Sequence, residues 1–238
     1  MDPRFQTTRW SLVLTARDDA RVDSEQALAE LCQGYWQPLY AYVRRQGYGV
    51  EEARDLTQGY FLRLLEKRFL DDVEPEAGRF RAFLLVSLKH FLSSERERER
   101  ALKRGGGKST ISLDAEAAER RYRLEPVDHL TPEKVFERRW AQTVVDRALA
   151  RLRELFEIDG KLREFELLRP HLIGDAARGS YREMADELNM SEGTVRVTVY
   201  RVRRRYGSLL REEVAQTVAD PQEVDRELRD LLLALGPV

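Results

Sequence analysis

An all-α chain is what the sequence predicts, built as two small helical domains joined by a flexible linker and followed by a C-terminal helical extension. Three observations carry that expectation. Apolar residues recur at steps of three and four along most of the 238 residues, the spacing of amphipathic helices. No stretch shows the two-residue alternation of a half-buried strand. Between Ala101 and Leu130 the periodicity fades around the glycines at 105, 106 and 107, a composition that connects domains rather than filling them. The expected divisions are 1–23 for an N-terminal strap, 24–100 for a first domain, 101–130 for the linker, 131–211 for a second domain and 212–238 for an acidic extension.

Composition narrows the functional classes. Charged residues make up 35% of the chain, yet 41 Lys+Arg against 42 Asp+Glu leave a formal net charge of −1. Affinity for nucleic acid therefore has to come from local patches. Cys32 is the single cysteine, which excludes an internal disulfide and a multi-cysteine zinc site. His90, His129 and His171 are scattered without ligand spacing. No metal-ligand set, carboxylate cluster or nucleophile–base pair stands out, so no catalytic residue, metal, cofactor or small-molecule substrate is assigned. No apolar run approaches the ~18 residues of a membrane span, and Met1–Arg9 does not have the form of a signal peptide. A soluble, cytoplasmic protein without a membrane partner is expected.

Taken in order, Trp10, Leu12, Val13 and Leu14 form an apolar knot in the lead, expected to strap onto the first domain. Asp23 with Gln26 has the form of a capping box, opening a helix with Leu28, Leu31, Cys32 and Tyr35. Pro38 lacks an amide hydrogen and should break or kink it. A second helix through Tyr40, Val43 and Arg44 then ends at Gly47 and Gly49. Glu51 and Glu52 suit the positive end of a third helix starting near Val50, with Ala53, Leu56, Tyr60, Phe61, Leu64 and Leu65 as its core side. After Gly78 a fourth helix is apolar almost all round from Phe80 to Leu92, as a helix enclosed by neighbours would be. It continues with opposite charges three apart, Glu95–Arg98 and Glu97–Arg100. From Arg79 to Lys108, nine Lys/Arg (79, 81, 89, 96, 98, 100, 103, 104, 108) stand against three Glu (95, 97, 99), a surplus of six.

RGGGKST, Arg104–Thr110, has the look of the end of a phosphate-binding loop. That motif needs a glycine five residues before Gly107, and Leu102 stands there. A basic connector is the better account. Thr131, Pro132 and Glu133 then cap a long helix carrying Phe136, Trp140, Val144, Ala148, Leu152 and Leu155, ended by Gly160. A short helix with Phe165, Leu167 and Leu168 stops near Pro170.

Ser180–Tyr206 is the segment around which the second domain is organised. Met184, Ala185 and Leu188 share one face of a short helix, and small Ala185 lets a second helix cross closely. Asn189 tolerates the left-handed exit and Ser191 caps the next helix. Val195, Val199, Val202 and Tyr206 then recur at i, i+4, i+7 and i+11 as the core stripe of that longer helix. Opposite them lie Gly193, Val197, Tyr200, Arg201 and Arg204, flanked by Thr194, Arg196 and Arg205. Five arginines (196, 201, 203, 204, 205) face one acid, Glu192. Short residues in front and arginines behind suit a helix-turn-helix entering a DNA major groove. The expected DNA-facing residues are Ser191, Thr194, Arg196, Val197, Tyr200, Arg201 and Arg204.

SYREMADELNMSEGTVRVTVYRVRRR, Ser180–Arg205, resembles the −35-reading domain of bacterial sigma factors, specifically the small extracytoplasmic-function group. Ser180, Tyr181, Glu183, Met184, Ala185, Met190, Ser191, Gly193, Thr194, Val195 and Arg196 keep the pattern; Arg182 stands where an acid is usual and Asn189 where Gly is usual. EARDLTQ, Glu52–Gln58, followed by FLRL, Phe61–Leu64, resembles the family's polymerase-binding helix, with Gly59 in place of an acid. This implies that Asp55, Leu56, Gln58, Phe61 and Leu64 meet core RNA polymerase. GRFRAFL, Gly78–Leu84, resembles the start of the helix that reads and melts the −10 element, implying Arg79, Arg81, Lys89, His90 and Arg96 for that DNA. The resemblances cover most of 24–100 and 131–211. They imply a dissociable specificity subunit of RNA polymerase in transcription initiation, not an enzyme. Core polymerase and promoter DNA are the implied partners, with an anti-sigma factor as a further candidate.

The competing expectation is a conventional helix-turn-helix regulator that acts without polymerase. The acidic extension has two alternatives of its own. From Arg211 to Val238 it holds three arginines (211, 226, 229) and seven acids (212, 213, 220, 223, 225, 227, 230). Its stripe of Val224, Leu228, Leu231 and Leu232 either folds back over the arginine-rich helix or, as leucine stripes usually do, packs as core near Trp140 and Val144.

Overall fold

The computed structural model describes residues 24–65, 79–102, 119, 130–172, 181–218 and 220–236. Within them every regular element is helical: α1 Ser24–Arg45, α2 Val50–Leu65, α3 Phe80–Leu102, α4 Pro132–Ile158, α5 Leu162–Leu168, α6 Tyr181–Leu188, α7 Glu192–Ala215 and α8 Val224–Leu235. The all-α class predicted from periodicity holds for the described residues. The strap around Trp10, the Asp23 cap and RGGGKST lie outside them.

Pro38 lies inside α1, which continues through it, and this corrects the expected break. Proline removes one helical hydrogen bond and crowds the residue four positions back. The bond lost is the one to the Gly34 carbonyl, and the neighbours Tyr35, Trp36, Leu39 and Tyr40 are all core, so burial on both sides of Pro38 offsets it. α1 ends where expected: Gly47 adopts φ 95° and its amide donates to the Arg44 carbonyl at 3.1 Å. At the start of α2 the Gly49 amide donates to Glu52 Oε2 at 3.4 Å, so a first-turn acid satisfies a free donor as well as facing the helix dipole.

α4 is the spine of the molecule. Thr131 caps it, accepting from the Lys134 amide at 3.3 Å, and Pro132 takes its first position. Its 27 residues span about 40 Å, long enough to serve two cores. The front half (Phe136, Trp140, Ala141, Val144) joins α1, α2 and α3 in one cluster that also contains Val214, Val218, Val224 and Leu231. The rear half (Ala148, Leu152) joins Phe165 and Leu168 of α5, Met184 and Ala185 of α6, and the α7 stripe Val195, Val199, Val202, Tyr206 and Leu209. The extension therefore packs as core beside Trp140 and Val144 through Val224 and Leu231, while Leu232 of the expected stripe is exposed. Its Asp225 pairs with Arg211 of α7 at 2.6 Å, and Arg201, Arg204 and Arg205 stay exposed.

Of the segment between α3 and α4, Glu119 is described, and it is buried against α1. Its carboxylate accepts from the Tyr40 hydroxyl at 2.7 Å and from Arg44 at 3.1 and 3.2 Å. Burial raises the Tyr40 hydroxyl well above its ordinary range and Glu119 raises it further, so it remains a donor.

Candidate nucleic-acid interface

The turn between α6 and α7 is set by backbone chemistry. Asn189 takes φ 53°; its amide donates to Asp186 at 3.3 Å and the Met190 amide donates to Ala185 at 2.9 Å. This pair of bonds is the Schellman closure. Ser191 then caps α7, its hydroxyl accepting from the Thr194 amide at 3.1 Å and meeting the Thr194 hydroxyl at 2.8 Å. The closure and the cap fix the angle at which α7 leaves α6, and hence the face it shows.

That face carries the residues expected from the sequence. Ser191, Thr194, Arg196, Val197, Tyr200, Arg201 and Arg204 are all exposed, with Val197 at 49% and Tyr200 at 66%, high values for an apolar and an aromatic side chain. Arg196 is not wholly free: it pairs with Glu192 at 2.7 Å and lies 5.4 Å from the Tyr181 ring. Arg201, Arg204 and Arg205 have no ion pair among the described residues. Arg203 differs, since its Nε donates to the His171 carbonyl at 2.8 Å and ties α7 to the turn after α5. His171 in turn stacks on Tyr181 at 5.8 Å. Val197 and Tyr200 thus present surface suited to base edges, and the arginines behind them present charge suited to phosphates.

The five residues expected at the −10 element are not brought together. Lys89, His90 and Arg96 are exposed on the middle of α3; Lys89 pairs with Glu133 at 2.8 Å and Arg96 donates to the Tyr48 hydroxyl at 2.6 Å while lying over its ring. Arg79 and Arg81 sit at the other end, about 22 Å away along the helix from Arg81 to Arg96. Arg81 is buried, which corrects its expected exposure: its Nε donates to Glu227 at 2.7 Å and its guanidinium lies 4.4 Å over the Trp140 ring. Burial works against its charge, but the Glu227 and Glu137 carboxylates outweigh that and hold its pKa above the ordinary value. Phe80 is fully enclosed, edge-on to Tyr35 at 5.2 Å, so it is core.

α2 requires a similar correction. Leu56, Gln58, Phe61 and Leu64 are buried, and Asp55 alone of the five expected polymerase residues is exposed. The outward face of α2 is Glu51, Glu52, Asp55 and Leu62. Leu62 is absent from the set expected by resemblance. Its step of seven from Asp55 is the signal that places it on the same face.

Comparison with protein-family models, with curated proteins and with solved structures returns no match. Among the described residues, no helix is long and apolar enough to cross a membrane.

Proposed function

We propose that this chain is a sigma factor of the extracytoplasmic-function type, a dissociable subunit that directs core RNA polymerase to promoters. One observation carries the proposal: a helix-turn-helix whose second helix exposes Val197 and Tyr200 in front of Arg201, Arg204 and Arg205, none of these arginines in an ion pair among the described residues. Such a face suits the −35 major groove. Residues 131–211 form the −35-reading unit on this reading, and 24–100 form the unit for polymerase and the −10 element, joined through 101–130. The polymerase surface is the outward face of α2 around Asp55 and Leu62. Lys89, His90 and Arg96 on α3 serve the −10 strand. The chain acts in the cytoplasm as a binding subunit and not as an enzyme, and an anti-sigma factor is a candidate regulator.

Co-purification tests this. The tagged full chain is expected to retain core RNA polymerase, and Asp55→Ala with Leu62→Ala is expected to release it while the far-ultraviolet circular dichroism stays helical. Binding of palindromic duplex DNA as a dimer, with no retention of polymerase, would replace the proposal with a conventional regulator.

A further inference from the structure

We propose that α8 is a removable cover over an anion-binding surface at the start of α3, with Glu227 and Asp230 standing where nucleic-acid phosphates would sit. Glu227 is 0% exposed and holds two guanidinium groups at once. Arg81 reaches both of its oxygens, at 2.7 and 3.2 Å, and Arg79 Nε reaches it at 3.0 Å. Asp230, one turn later on the same side of α8, takes the Arg79 Nη1 bond and lies 3.8 Å from Arg81. The two-pronged grip of a guanidinium on a carboxylate is the geometry with which arginine also holds phosphate. Arg81 is positioned independently of α8 as well, by the Trp140 ring of α4 beneath it.

Two features show that the seat of α8 is incompletely filled, and a third that its free side is apolar. A cavity of about 480 Å³ opens beside its last turn, lined by Arg79, Lys134, Arg138 and Leu233 among others. Arg79 Nη2 and Arg138 Nε are buried and have no hydrogen-bond partner among the described residues. Leu232 and Leu233 point outward, 59% and 78% exposed, so α8 carries apolar surface on its free side that a second binding site could take up. With α8 displaced, Arg79, Arg81, Lys134 and Arg138 would form one basic patch with only Glu137 among its lining acids. This inference rests on the sigma-factor reading for the nature of the anion, the displaced single strand of an opening promoter.

The test uses the full chain and a fluorescein-labelled single-stranded oligonucleotide. Glu227→Gln with Asp230→Asn is expected to tighten binding about tenfold, and the salt dependence to steepen by roughly one to two, as for two added phosphate contacts. Adding Arg79→Ala and Arg81→Ala should cancel both changes. Unchanged affinity in the folded double variant, or a gain that survives loss of the two arginines, overturns the cover. Should the double variant not fold, Asp230→Asn alone, at a partly exposed position, is expected to give about a threefold gain, and no gain overturns the proposal equally. Retention on core polymerase is measured on the same samples. Its absence in both forms sinks the sigma-factor reading, whereas the single-strand comparison alone decides the cover.

Discussion

Arg203 Nε donates to the His171 carbonyl at 2.8 Å, whereas Arg204, the next residue on α7, is exposed and has no ion pair among the described residues. Adjacent arginines on one helix thus have different work. Arg203→Ala should lower thermal stability, by about 1–2 kcal/mol for a charged hydrogen bond, and leave the salt dependence of duplex binding as it was. Arg204→Ala should leave stability nearly unchanged, weaken binding to all duplex sequences alike and flatten the salt slope by about one. Melting curves and fluorescence anisotropy at several salt concentrations separate the two.

Asn189 offers a backbone test of the turn. Its φ of 53° is strained for a residue with an ordinary side chain. Asn189→Ala is expected to cost about 1 kcal/mol and Asn189→Gly to be neutral or slightly stabilising. Equal melting temperatures for the two variants would show that the left-handed exit does not set the turn.

Gly59 lies inside α2, where a Cβ would meet Phe91 Cζ at 3.4 Å, an ordinary contact. Gly59→Ala should therefore gain most of the helix propensity difference, about 0.5–1 kcal/mol. Denaturant unfolding checks this, and a loss of stability would mean that α3 packs against α2 more tightly than that distance implies.

The caps are the most legible part of the chain. Thr131, Ser191, Asn189 and Gly47 each act within one helical turn, so their neighbours in sequence are their partners in space. The α7 stripe is legible for the same reason. Pro38 escapes its local rule because its context is favourable, with buried aromatic core around it. The grouping of Leu56, Gln58, Phe61 and Leu64 with Asp55 fails on geometry: at 100° per residue these positions cannot share one face. The burial of Arg81 by Glu227 is not legible at all. The partners are 146 residues apart, and nothing in either local pattern names the other.

Alkaline pH probes the second core. Burial, reinforced by the Asp146 carboxylate, pushes the Tyr206 hydroxyl up to about 12, above the ~10 of an unfolded tyrosine. A raised folded pKa contributes stability that is whole below pH ~10 and is lost as pH rises toward 12. Between neutral pH and about pH 11 the protein should lose roughly 1 kcal/mol more than Tyr206→Phe does. Parallel losses in denaturant titrations would mean that Tyr206 is solvated in the native state.

Run-off transcription with purified core RNA polymerase on genomic fragments from the source organism tests the sigma-factor proposal most directly. New transcript 5′ ends are expected only when the chain is added, sharing two upstream sequence elements, and they should vanish with Arg201→Ala and Arg204→Ala. A core-polymerase transcript pattern that the chain leaves unchanged would contradict the proposal.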